Sequence, residues 1–122
     1  MRNLKILLLS VGLVFSGAQS AIAHAEVVKS FPLANSTLAK APKYVQLEFS
    51  EAITNFKSKN ANSIVVLDAK AQKIATSKLS VKQGIARIEF VGTLKPGKYI
   101  VKYRIVSVDG HVLNAQYKFL IS

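Results

Sequence analysis

The stretch GKYIVKYRIVSV, residues 97–108, sets Tyr99, Val101, Tyr103 and Ile105 on one side and Lys98, Lys102 and Arg104 on the other. Alternation at period two fits a strand with one face in a core and one in water, and a helix would scatter these residues around its axis. The pattern recurs. In YVQLEF, Val45, Leu47 and Phe49 oppose Gln46 and Glu48; in GIARIEF, Ala86, Ile88 and Phe90 oppose Arg87 and Glu89; in NAQYKFLI, Ala115, Tyr117, Phe119 and Ile121 share a side. Apolar runs at 26–28, 63–67 and 73–79 bring the count to about seven strands, separated by turn residues such as Asn35-Ser36, Asn60 to Asn62 and Pro96-Gly97. Many short one-sided strands with no helical pattern predict an all-β fold, either two antiparallel sheets face to face or a closed barrel. Seven strands in about 100 residues fit a seven-stranded immunoglobulin-like Greek-key β-sandwich.

That fold is expected of residues 24–122 only. Residues 1–23 carry the three parts of a secretory signal: MRNLK with its positive charge, the apolar ILLLSVGLVFSGA, and the small residues Ala21 and Ala23 at the −3 and −1 positions of a cleavage site. Cleavage after Ala23 makes His24 the first residue; cleavage after Ala25 would discard it. No second apolar run of spanning length follows, so the processed chain is expected to be soluble and exported, with no transmembrane segment. It has no cysteine, so its single small core must hold without disulfides.

Loss of Arg2 and Lys5 leaves 15 basic and 6 acidic side chains, a formal +9. For an exported chain of that charge anionic lipid or cell-wall polymer is a nearer neighbour than nucleic acid, but its lysines stand singly along the sequence, which favours an ordinary soluble surface.

The segment VSVDGH, residues 106–111, has two readings. Asp109-Gly110 between alternating runs is a strong hairpin signal, both central residues of the tight turn having to tolerate positive φ. The second reading comes from His24 and His111, the only two histidines. An N-terminal histidine offers its free amine and ring Nδ1 as a chelating pair. His111 would add a third nitrogen, and Asp109 or a neighbouring acid an oxygen, a tetragonal set suited to Cu(II). With Met1 removed the chain has neither methionine nor cysteine, the soft ligands that Cu(I) favours. A closed structural zinc site would want four protein ligands, and only two imidazoles are available. Both donor types hold protons in mildly acidic solution and must lose them to coordinate, so binding is expected to weaken as the pH falls.

Glu51 is a further acidic candidate. Alternation through Val45, Leu47 and Phe49 would carry it inward where the strand ends, at the cost of burying a carboxylate; a local bend would return it to solvent. A hydrolytic Ser107, Asp109, His111 set is rejected, because residues two apart on an extended strand cannot wrap around one another as nucleophile, base and orienting acid.

With His24 at the processed terminus, SFPLANSTLAKAPKYVQLEFSE, LKPGKYIVKYRIVSVDGH and the closing YKFLI, the chain resembles the periplasmic CopC copper-resistance proteins (CopC/YobA type) over its whole processed length. The resemblance implies a copper-binding domain that holds one Cu(II) through the amine and ring of His24 and through His111. Asp109 would be an additional or axial partner, and Glu51 the acid near the site. It also implies a possible partner, an inner-membrane copper permease of the CopD type. The methionine-rich Cu(I) site of some members has no counterpart here. Tyr103 stands where the family often has tryptophan, and Ala115 where glycine is common. The expected role is copper carriage without turnover; the alternative is a histidine-brace copper-dependent oxygenase acting on polysaccharide, which needs an open coordination position.

Overall fold

The computed structural model describes residues 26–54 and 61–122, and among them it is all β. Eight strands run in chain order: β1 Val27–Phe31, β2 Thr37–Leu38, β3 Tyr44–Phe49, β4 Ser63–Leu67, β5 Ser80–Lys82, β6 Ile85–Glu89, β7 Gly97–Val106 and β8 Val112–Ile121. They form two four-stranded sheets, ordered β1-β3-β6-β5 and β2-β8-β7-β4. The architecture is the expected immunoglobulin-like β-sandwich.

The alternation read from the sequence is the burial pattern. Val45, Leu47 and Phe49 of β3 and Ala86 and Ile88 of β6 face Ile64 and Val66 of β4, Tyr99, Val101 and Ile105 of β7, and Phe119 and Ile121 of β8 in one apolar core. Tyr99 stacks on Phe119 with ring centroids 5.4 Å apart and sends its hydroxyl to the Lys95 carbonyl at 2.7 Å, so the phenol is buried without an unmet donor.

Three details differ from the sequence expectation. Thr37–Leu38 forms a strand too short for any periodicity to announce, and it pairs with β8 in parallel, which makes the second sheet mixed. The run 73–79 is not a strand. Ile74 N donates to Val66 O of the second sheet and Ser77 N to Glu89 O of the first, so this segment crosses between sheets and gives each too few bonds for a ladder. The strand that follows it is Ser80–Lys82.

Gly84, in the β5–β6 turn, lies against the end of β3. A Cβ there would stand 3.1 Å from the Phe49 carbonyl oxygen and 3.2 Å from that of Glu51. Backbone on that side cannot yield like a flexible side chain, so Gly84→Ala is expected to destabilise by about 1–3 kcal/mol, read by chemical denaturation.

Candidate metal centre

β7 and β8 are joined by residues 107–111, and β7 reaches its last pair at Val106 and Val112. Ser107 N donates to His111 O and Gly110 N to Ser107 O, both at 2.9 Å. Of the loop residues Gly110 alone has a positive φ, +93°. The connection is therefore a three-residue loop with a turn at 107–110 and glycine in the strained position, in place of the two-residue turn that Asp109-Gly110 alone predicts. The extra residue gives the loop room to fold the acid back on itself.

The Asp109 carboxylate is the hub of this loop. Oδ1 accepts from the Ser107 hydroxyl and, at 3.1 Å, from His111 N, while Oδ2 lies 3.0 Å from His111 Nδ1. Donation from Ser107 first, then from the amide and ring of His111, holds the Asp109 carboxyl well below the usual carboxylate range. The sign follows: its folded-state pKa is the depressed one. Its contribution to the loop is thus complete above about pH 4 and is lost only as acid carries the pH down through the folded value. Both side chains stay reachable, His111 54% and Asp109 40% exposed, while Ser107 is 2% exposed.

This arrangement corrects one premise of the sequence reading. Ser107, Asp109 and His111 do converge, because they occupy a loop and not an extended strand. The order of contacts still excludes nucleophile activation: the acid sits between serine and histidine, so no imidazole can take the serine proton. Ser107 is the residue that sequence reasoning undervalued. Its burial beside a turn acid was the missing signal.

The 3.0 Å between Asp109 Oδ2 and His111 Nδ1 also has a metal-site meaning. Two donors bound at right angles to one ion, each at about 2.0–2.1 Å, stand about 2.9 Å apart. The separation is compatible with two ligands on one ion and equally with a hydrogen-bonded Asp–His pair.

The segment 50–54 links this loop to the start of the described chain. Glu26 N donates to Ser50 Oγ at 3.0 Å and Ser50 N returns to Glu26 O at 2.8 Å. A few residues on, Thr54 N donates to Val106 O, Val108 N to Ala52 O, and Ile53 bridges Ser107. Glu26 and the 107–111 loop are therefore attached to the same short stretch of chain. His24 lies outside the described residues, two positions before Glu26, a reach of about 7 Å for extended chain.

Glu51 sits between these attachments and is half-buried. Burial keeps alternating past the end of β3 at Phe49: Ser50 and Ala52 are exposed, Glu51 is half-buried, and Ile53, 4% exposed, takes the next inward place. Among the described residues no three His, Cys, Asp or Glu side chains converge as a metal site would require.

Comparison with known proteins bears on this geometry. Residues 27–122 match the model of the CopC domain. Protein YobA of Escherichia coli K12 is 35% identical over 106 residues, 81% of this chain and 79% of its own length. Copper resistance protein C of Escherichia coli is 34% identical, covering 93% and 94%. Copper transport protein CutJ of Bacillus subtilis is 30% identical over 98% of this chain, which spans only 22% of CutJ. In solved structures the fold matches CopC of Methylosinus trichosporium OB3b, with a TM-score of 0.69, 27% identity, and 81% and 94% of the two chains covered. It also matches PcoC, a methionine-rich copper resistance protein from Escherichia coli, with a TM-score of 0.68, 29% identity, and 82% and 100% covered.

Proposed function

The chain belongs to the CopC domain family, and from that premise we propose that it is a periplasmic Cu(II)-binding protein that carries or sequesters copper without turnover. The observation that carries this reading is the Asp109–His111 pair at ligand spacing, on a loop attached through residues 50–54 to the strand that His24 precedes. His24 supplies its amine and Nδ1, His111 its Nδ1, and Asp109 an oxygen. Glu51, on the linking segment, adds negative charge beside the site. Relatives are named for copper resistance and copper transport, which supports the cargo.

Nitrogen donors with one carboxylate favour the oxidised ion. PcoC is described as methionine rich, whereas Met1 is the only methionine here. One site, selective for Cu(II), follows. In CutJ a region like this chain belongs to a far longer copper transport protein, which supports an inner-membrane permease of the CopD type as the partner that receives the ion.

Asp109→Asn tests the loop's part. The amide keeps the shape but loses the charge and one acceptor oxygen, so Cu(II) affinity is expected to fall about 10–100-fold, with Glu51→Gln changing it less. Competition titration against a chelator reads both. An Asp109→Asn affinity equal to that of the unaltered protein would remove Asp109 from the site.

A further inference from the structure

The outer faces of the two sheets differ in charge. Strands of the first sheet carry Lys29, Lys82 and Arg87 together with Glu48 and Glu89. Register sets Lys29 opposite Glu48, and Arg87 pairs with Glu89 at 3.4 Å. Strands of the second sheet carry Lys98, Lys102, Arg104 and Lys118 and no acid at all. Single lysines far apart in the sequence become one surface because each holds an outward position and β7 lies beside β8 and β4. Lys102 stands between Val65 and Gln116, Arg104 between Ser63 and Asn114, and Lys118 beside Ile100. All four are exposed, and none has an ion-pair partner among the described residues. Arg104 donates to the Ala61 carbonyl and keeps its charge.

We propose that this face, Lys98, Lys102, Arg104 and Lys118 set among Val65, Ile100 and Leu120, docks on an anionic phospholipid bilayer. Like charges gathered without counter-charges repel one another, so the arrangement works against the fold unless an anionic surface meets it. The form of the face favours lipid over a shaped acidic partner. Three of the four bases are lysines, flexible point charges without the bidentate fork that reads a fixed carboxylate. They spread over about 20 Å of the sheet along β7, with aliphatic side chains between them for the headgroup boundary. Among the described residues no helix is long and apolar enough to cross a membrane. The inference does not rest on copper.

The test uses exported protein with residues 1–23 removed and vesicles of neutral phosphatidylcholine, with or without phosphatidylglycerol. Binding is expected only with the anionic lipid and should weaken at 0.5 M salt. Neutralising Lys98, Lys102, Arg104 and Lys118 to Gln should lower partitioning by about fivefold per residue, hence several hundredfold together. A control with Lys29, Lys43, Lys78 and Lys82 changed to Gln has the same net charge and alters the other sheet and its margins; it should retain most of the binding. Equal loss in both variants would show net charge alone at work and overturn the proposal. So would absence of binding to anionic vesicles, leaving an acidic protein as the occupant. Thermal melts confirm that both variants fold.

Discussion

A protein carrying one extra residue in front of His24 is expected to bind Cu(II) more than about 100-fold more weakly than the chain that begins at His24. The extra residue turns the terminal amine into an amide and breaks the chelate between that nitrogen and the ring Nδ1. Removing groups that only support a ligand typically costs 10–100-fold, so losing a ligand should cost more. Fold and net charge stay the same, which separates this effect from destabilisation. Chelator competition gives the affinity, and the EPR spectrum should shift as a nitrogen leaves the equatorial set. Unchanged affinity and spectrum would mean that the terminus takes no part.

The second large effect is expected from His111→Ala. The imidazole is exposed, so its loss opens no core cavity, and the backbone bonds of the loop, Ser107 N to His111 O and His111 N to Asp109 Oδ1, remain. Stability should change little, as for most substitutions of an exposed side chain. Cu(II) affinity should fall by more than about 100-fold, because the remaining imidazole cannot supply both sides of the donor set. Weak copper binding that is indifferent to this substitution would mark the protein as a scaffold of the same fold with incidental histidines. Peroxide-driven cleavage of chitin or cellulose by the copper-loaded protein would instead favour the oxygenase reading.

Most of the fold was legible because one physical rule, a core on one side of each strand, writes itself into every second residue. Val45, Leu47 and Phe49 were assigned inward and are buried. The rule gives out where a segment serves both sheets, as at 73–79, or is only two residues long, as Thr37–Leu38 is. Past Phe49 the strand ends but the parity persists, with Glu51 half-buried between exposed Ser50 and Ala52 and followed by buried Ile53.

The chemistry of the site was legible as composition: two histidines, an acid two residues from one of them, no soft ligand. Its geometry was not. A three-residue loop and a two-residue turn share the dipeptide Asp109-Gly110, and only the longer one folds the carboxylate onto Ser107 and the His111 amide. The charge of the second sheet was hidden for a related reason. Lys98, Lys102 and Lys118 are scattered in sequence, and strand pairing alone makes them neighbours.

The central claim is that processing exposes His24 as a terminal amine that meets His111 at one copper ion. Intact-mass measurement of the exported protein, isolated with its metal under native conditions, tests this most directly. A product spanning residues 24–122 with a single copper bound is predicted; a product beginning at Glu26 that still holds copper would contradict it.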